Sequence, residues 1–427
     1  MTTQFIRMLF IPSEPFPTDR VRINVLFGQE LLARGHEIDL VMQAADEDVP
    51  QGPQAWFGRT LWVGPTDSRN GFLHRMRKHW LGFRHDLRSL RLARPARYDG
   101  VLVSDKFLIA AITPLMLRRR KIKLIFWLTF PMPEMHLQAA RDATARYPIL
   151  AWIRGVVSGW LLYKWILARS DHVFVQSDRM KNDICTHGIS RAKVSPILTG
   201  FSLADIAPVR RRHGAATLPF VTLAYLGTLG PLRHLEILVE MLARLRKGGM
   251  EAKLLLVGRG ERSRDESMLT NCAASLGVAA HLEITGFLPQ PQALGRVAVA
   301  DICLSPIHRS PILDVGSPTK LIEYLALGMP VVANDHPEQK LILRESRAGV
   351  CVPWGAQYFA RAVCWLMRRS PAERAAMGSR GRAWVEANRT YARIADDVER
   401  TCIAVLTGTN TERTRHAVVG SRRTLER

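Results

Sequence analysis

An α/β chain of two domains, each with a largely parallel sheet, is what this sequence predicts, and three observations carry it. The first is residues 317–334, SPTKLIEYLALGMPVVAN, which read as a loop, a helix and a short buried strand. The second is the alternation of apolar β runs with helical patterns that continues through the second half, as in sheets covered by helices on both faces. The third is size: 427 residues at 47% hydrophobic content suit two domains of roughly 200 residues each.

In chain order, residues 5–11 form a buried N-terminal strand. A loop and a helix lead to Ala33-Arg34-Gly35-His36, and residues 37–41 form a second strand. Residues 101–106 and 124–134 each end a further strand, and 171–177 form another before the turn at 197–203. A polar, basic stretch between Pro208 and Pro219 reads as the interdomain linker. Strands are expected at 223–229, 253–260, 282–287, 300–306 and 331–333. Helices are expected at 235–247, 266–276, 292–298, 321–327 and 358–368 and, last, at 371–388 and 391–404. The predicted domains are 1–207 and 208–392, followed by a final helix at 393–406 and a basic tail at 407–427 without periodicity, expected to be disordered.

Residues 317–334 also suggest a binding site. Ser317 is expected to cap the helix, with Pro318 in its first turn. Ser317, Thr319 and Lys320 then stand with free backbone N–H groups at a helix N-terminus, a setting for an anionic group such as a diphosphate. Glu323, one turn on, is placed to accept hydrogen bonds from sugar or ribose hydroxyls.

The formal charge is +22. Much of it is local: Arg69, Arg75, Arg77, Lys78, Arg84, Arg88, Arg91, Arg94 and Arg97 stand against one acid, Asp86. Phe72, Met76, Trp80, Phe83, Leu87 and Leu90 interleave at helical spacing. Such a helix either lies in a membrane interface beside anionic lipids or packs its apolar face on the sheet with its cations solvated. No recognisable DNA- or RNA-binding motif surrounds these cations, so no nucleic-acid partner is expected. Residues 149–167 approach the length of a membrane span, but Arg154, Gly155, Gly159 and Lys164 interrupt them. They read as a core or interfacial helix. Together the two segments suggest a soluble protein docked on the cytoplasmic leaflet. The N-terminal apolar run is short and holds Arg7, as a strand does and a signal peptide does not. The six cysteines form no C-x-x-C pair and read as reduced core residues. No metal site is expected, because the acids at 46–48 and 396–397 lie in a loop and a late helix.

The ordered series of these segments, from about Phe5 to about Ala392, resembles the GT-B glycosyltransferases of family 4. The wording RGHEIDLV at 34–41 is typical of that family's first domain, and 317–334 resembles its donor-binding signature. The resemblance implies two Rossmann-like domains with parallel sheets facing across a cleft, the first for the acceptor and the second for a nucleotide sugar. It implies a retaining transfer to a lipid-linked or polysaccharide acceptor in cell-surface glycan synthesis, with no metal required. Glu323 would grip the ribose, and Gly227, Thr228, Arg233 and Lys320 would surround the diphosphate. Gly286 and Phe287 would meet the nucleobase, and Arg259 reads either as a further diphosphate cation or as a surface loop residue.

The chain departs from the family's pattern at several positions. Relatives place an Arg after the first glycine and a Lys five residues later; here those are Thr228 and Arg233, and Lys320 is the candidate for the missing charge. Relatives often carry Glu-x7-Glu, whose first acid falls on Val315, with Asp314 the nearest replacement. A histidine common near Thr129 is absent, and Glu134 and His136 follow shortly after. Asp105, Glu134 and Asp314 are thus the catalytic candidates, with Asp19, Arg20 and Arg22 near the acceptor or diphosphate. A non-catalytic GT-B domain serving as a binding module is the competing reading, supported by Val315 and Thr228.

Overall fold

The computed structural model describes residues 5–18, 20–142, 144–202 and 220–408. The chain forms two compact units, one holding residues up to Ile197 together with those from Ile394 on, the other Leu198–Arg393. The stretch read as a linker, Asp19, and the tail beyond 408 lie outside the described residues.

The first unit is built on eight strands among the described residues: β1 Arg7–Ile11, β2 Glu37–Gln43, β3 Gly52–Trp56, β4 Arg59–Gly64, β5 Gly100–Ser104, β6 Lys123–Trp127, β7 His172–Val175 and β8 Val194–Pro196. Their order is β3-β4-β2-β1-β5-β6-β7-β8, with only β3 antiparallel to its neighbour. Leu9 of β1 pairs with both Asp39 and Val101, so β1 is central. Buried on both faces, it reads as a continuous apolar run. The last helix, Tyr391–Thr407, completes this unit. Arg34 bonds Asp396 and Glu399 at 2.7 Å each, and His36 Nε2 lies 2.9 Å from Glu399.

The second unit has β9 Val221–Leu226, β10 Ala252–Val257, β11 Leu282–Ile284, β12 Ile302–Ser305, β13 Val331–Asn334 and β14 Gly349–Val352, all parallel in the order β11-β10-β9-β12-β13-β14. One apolar core packs under the helices Glu236–Lys247 and Ala356–Met367; the other packs under Gln290–Val297 and Thr319–Ala326. In each sheet the strand order reverses direction at one place, beside β1 and beside β9. In open α/β sheets the crevice at the carboxyl ends of such strands is where ligands bind.

The helix Phe72–Leu90 does not lay its whole apolar stripe on the sheet. Phe72, Met76 and Trp80 are exposed, while Gly82, Asp86, Ser89 and Leu90 are buried. Asp86 is held by Lys106 Nζ at 2.8 Å. The expected helix over 149–167 is Pro148–Trp160, continued to Arg169, and no helix among the described residues is long and apolar enough to cross a membrane.

Candidate active site

In the first unit, Asp105 follows the carboxyl end of β5 in the left-handed region, at φ 53°, a conformation Asp and Asn tolerate better than most residues. Its carboxylate accepts the Thr129 backbone N–H at 2.9 Å and the Thr129 hydroxyl. Burial pushes the carboxyl up to about 6; the hydrogen bonds from Thr129 oppose this, the Glu14 charge adds to it, and Arg22 counters it. Glu14 lies in the loop after β1, and Arg22 opens the next helix with its guanidinium 5.3 Å from the Trp127 ring centroid. Trp127 is itself buried against Phe10 and Phe27. Three strand ends thus meet around one acid that is partly protonated near neutrality.

Glu134 is engaged elsewhere. It sits in the first turn of the helix Met132–Arg141 and accepts the Tyr163 hydroxyl, tying that helix to the segment Leu161–Ile166. Burial and Glu134 together push the Tyr163 phenol well above its usual range. Burial lowers the pKa of His136, aided by the nearby Arg154.

In the second unit, Gly227 ends β9 at φ 154° and its N–H donates to Val257 O at 3.0 Å. Gly258 ends β10, and a Cβ there would lie 1.9 Å from Gly227 O, so no other residue fits without moving backbone. The Thr228 carbonyl accepts the Tyr225 hydroxyl at 3.2 Å. A cavity of about 440 Å³ opens over this junction, lined by Gly227, Thr228, Gly258, Arg259, Glu261 and Phe287 among others. Phe287 is 69% exposed at this cavity, with the Arg259 guanidinium 5.5 Å from its ring centroid. Gly286, at φ 72°, turns the chain just before it. A wall of bare backbone, an aromatic face and a cation suit a planar, partly anionic ligand. Arg259 is exposed and lines this cavity.

The helix Thr319–Ala326 is tied to the same place, because the Tyr324 hydroxyl accepts the Leu226 N–H at 2.7 Å, one residue before Gly227. Glu323, in the turn above Thr319, is 8% exposed and bonds Lys320 Nζ at 3.0 Å. Lys320 is thus paired with the acid it was expected to neighbour. Ser317 does not cap the helix: Pro318 precedes its first residue without a side-chain cap bond. Ser317 Oγ instead accepts the Thr199 N–H at 3.2 Å and donates to Glu338 at 3.1 Å. Asp314 is gripped by both arms of Arg309, at 2.8 and 2.9 Å, and Val315 is buried. Asp314 is therefore not a free substitute for the acid missing at 315.

Arg233 closes a single turn after Gly230 and Pro231. The next residue, His234, is left-handed at φ 49°, and its ring lies 4.3 Å from that of His308 in the loop after β12. Burial, aided by His234, pushes the His308 imidazole down. Sequence reasoning missed this histidine pair and the Thr129–Asp105 bond. The one available signal was that each residue follows a strand's carboxyl end.

Residues 22–205 match the family described as Glycosyltransferase Family 4, and residues 221–369 match Glycosyl transferases group 1. A GDP-mannose-dependent alpha-(1-6)-phosphatidylinositol monomannoside mannosyltransferase of Mycolicibacterium smegmatis is 29% identical over 180 residues, 42% of this chain and 46% of that protein. The chain spans about half the length of the curated relatives it matches. Sucrose-phosphate synthase of Thermosynechococcus elongatus has a similar fold, with a TM-score of 0.72 at 17% identity over 94% of this chain and 100% of that one. HepE of Anabaena in complex with UDP and glucose has a TM-score of 0.64 at 16% identity over 93% and 99%.

Proposed function

This chain belongs to the family 4 glycosyltransferases, with the GT-B fold, and on that premise we propose that it moves a hexosyl group from a nucleoside-diphosphate sugar to a lipid-linked acceptor with retention of configuration. The observation that carries the reading is the junction of Gly227, Gly258 and Phe287 with the tethered helix that holds Glu323. The base lies in the cavity against Phe287 and Arg259. Glu323 accepts the ribose hydroxyls, with Lys320 holding its carboxylate in place. The diphosphate meets the turn after Gly227 and the first turn of the helix Thr319–Ala326, together with Arg233. In these turns the Leu229 and Thr319 N–H groups are already bonded to Arg259 O and Ser317 O, and the remaining N–H groups face the diphosphate. These groups stabilise charge on the departing phosphate. As the bond from the anomeric carbon to the phosphate oxygen breaks, the acceptor hydroxyl attacks from the same face, and the leaving phosphate takes its proton.

The acceptor belongs to the first unit, where Asp105, half-titrated near pH 6, orders the acceptor hydroxyls with Thr129. Glu134 braces the neighbouring helices, and Asp314 holds its loop through Arg309. The reading assigns no role to a metal, and among the described residues no group of three or more His, Cys, Asp or Glu is arranged to hold one. The donor and acceptor named for the mycobacterial relative, GDP-mannose and a phosphatidylinositol mannoside, support a glycolipid acceptor over a soluble one, and such an acceptor is consistent with a proposed peripheral position at the inner face of the cell membrane.

The test is a panel of UDP-, GDP- and ADP-sugars, assayed for binding by calorimetry and for slow hydrolysis. Binding and hydrolysis of one donor is expected. Binding without hydrolysis or transfer favours the non-catalytic module, which Val315 and Thr228 support. No binding overturns the donor site.

A further inference from the structure

Two helices of the first unit are built inside out. Pro148–Trp160 buries its small residues: Ala151 and Gly155 are covered, and a Cβ on Gly155 would come within 2.6 Å of Leu137 Cγ on the helix Met132–Arg141. Its large residues face away. Ile149, Trp152, Ile153, Val156, Val157 and Trp160 are 44 to 78% exposed. At 100° per residue they form one stripe about 140° wide. A surface helix of a soluble protein does the reverse. Phe72–Leu90 repeats the pattern in its first half, exposing Phe72, Leu73, Met76 and Trp80, while Gly82, Asp86, Ser89 and Leu90 are buried. The helix Phe107–Leu117 links the two. It packs on Phe72–Leu90 and accepts the Trp165 indole N–H on Ala111 O at 2.9 Å, and its own Leu108 and Leu115 are exposed.

Charge identifies the occupant. Among the described residues between 68 and 170, Asp142 is the one exposed acid, while Arg75, Arg77, Arg84, Arg88, Arg119 and Arg154 are exposed cations. A second copy of the chain would set cations against cations. A bilayer of anionic phospholipid matches both the apolar stripe and the positive surround. We propose that Pro148–Trp160 lies in the headgroup region of such a bilayer with its tryptophan face in the acyl boundary, and that Phe72–Leu90 is its cationic companion. This rests on the reading of a lipid-linked acceptor and adds the element that brings the enzyme to it. A groove of about 580 Å³ between Pro148–Trp160 and Met132–Arg141, lined by Leu137, Ala140, Trp152 and Val156 with Arg141 as its charged member, opens beside this face.

The full chain is mixed with vesicles of phosphatidylglycerol and phosphatidylcholine, and with vesicles of phosphatidylcholine alone. Tryptophan emission is quenched with lipids brominated on their chains, and a Trp152→Phe/Trp160→Phe variant serves as the blank. The expected result is binding to the anionic vesicles, quenching that falls in the blank, and at least tenfold weaker binding in Ile153→Asp/Val157→Asp. Both of those positions are exposed, circular dichroism checks the fold, and the Ser pair is the milder variant. Unchanged vesicle binding in the Asp and Ser pairs, or undiminished quenching in the blank, overturns the proposal. A lipid-free dimer that the Asp pair abolishes also overturns it, by assigning the face to a second copy. Nucleotide-sugar binding, measured in the same samples without lipid, separates the two failures. Donor binding without vesicle binding refutes only this inference, and vesicle binding without donor binding refutes only the transferase reading.

Discussion

Replacing Asp105 by Asn should stabilise the protein while impairing its activity. The wild-type carboxyl titrates at about 6 where an ordinary aspartate titrates at 3.8, chiefly because it is buried. An acid whose folded pKa is raised favours the folded state below its unfolded pKa, and that advantage is lost as pH rises through the folded value. The interval is about 2 pH units at about 1.4 kcal/mol each, so above pH 6 the folded state carries a cost of about 3 kcal/mol. Asparagine carries no charge and tolerates the left-handed backbone at φ 53°. It can still accept one of the two Thr129 hydrogen bonds, and losing the other costs about 1 kcal/mol. The net gain is about 2 kcal/mol at pH 8, or roughly 4–8 °C in melting temperature for a unit of this size. The assay is thermal unfolding of wild type and Asp105→Asn between pH 4 and 8. The gap should be full at pH 8, close as pH falls below 6, pass through zero between about pH 4 and 5, and reverse slightly below that as the lost hydrogen bond takes over. A gap that does not change with pH, or a variant less stable at pH 8, would show that burial does not strain this carboxylate.

Four further outcomes are expected. Glu323→Ala should weaken nucleotide-sugar binding by roughly 1–3 kcal/mol in calorimetry, the cost of lost charged hydrogen bonds; an unchanged Kd in a folded variant removes Glu323 from the donor site. Gly258→Ala must push a methyl against Gly227 O, so it should abolish donor binding and lower stability by about 1–3 kcal/mol; normal binding would put the base elsewhere. Arg233→Ala should reduce kcat by about 100-fold or more, as when one stabilising donor is removed from a developing oxyanion, and full turnover would make Arg233 a surface cation. Replacing Arg75, Arg77, Lys78 and Arg84 by Gln should release the protein from anionic vesicles, since each cation near the surface contributes about 1 kcal/mol; retained binding at low salt would leave Pro148–Trp160 as the sole anchor.

The strands that carry the sites were legible because each is an apolar run buried on both faces and ends in a glycine or polar turn. The hairpin of β3 and β4 was not. Its strands GPQAW and RTLWVG are half-exposed, and its turn at Phe57-Gly58 puts positive φ on a phenylalanine, which no turn rule anticipates. The glycine-lined junction at Gly227 and Gly258 was readable because close backbone approach demands glycine. Its partners across the sheet were not. Ser317 followed by Pro318 looks like a helix start, yet the hydroxyl is drawn to Thr199 and Glu338, far away in sequence. Asp314 looked free because nothing local announces that Arg309 turns back onto it. Asp105 was singled out from its place at a strand mouth, but its raised pKa comes chiefly from burial, and the groups that modulate it, Thr129 and Arg22 downward and Glu14 upward, are brought close only by the fold. The apolar stripe of Phe72–Leu90 was visible in the sequence; that its first half, Phe72, Met76 and Trp80, faces outward while Leu90 is buried was not.

The last helix has a consequence for how the chain is made. From Ile394 on it belongs to the first unit, where Val398 and Cys402 are buried, Leu406 lies over Gly100, and Asp396 and Glu399 hold Arg34 and His36. The first unit's other residues leave the ribosome about 200 residues earlier, which at about 5–20 residues per second is a wait of roughly 10–40 s. The second unit is continuous and is itself synthesised during that interval, so its chain is complete just before the final helix is made. The first cannot finish folding meanwhile, since the β5 end at Gly100 and the turn at Arg34–His36 stay uncovered until the final helix arrives. The N-terminal unit is therefore the last to have its whole chain, and it stays incomplete while the second unit is made. A stop codon before Ile394 should leave a stable second unit joined to an unstable first one.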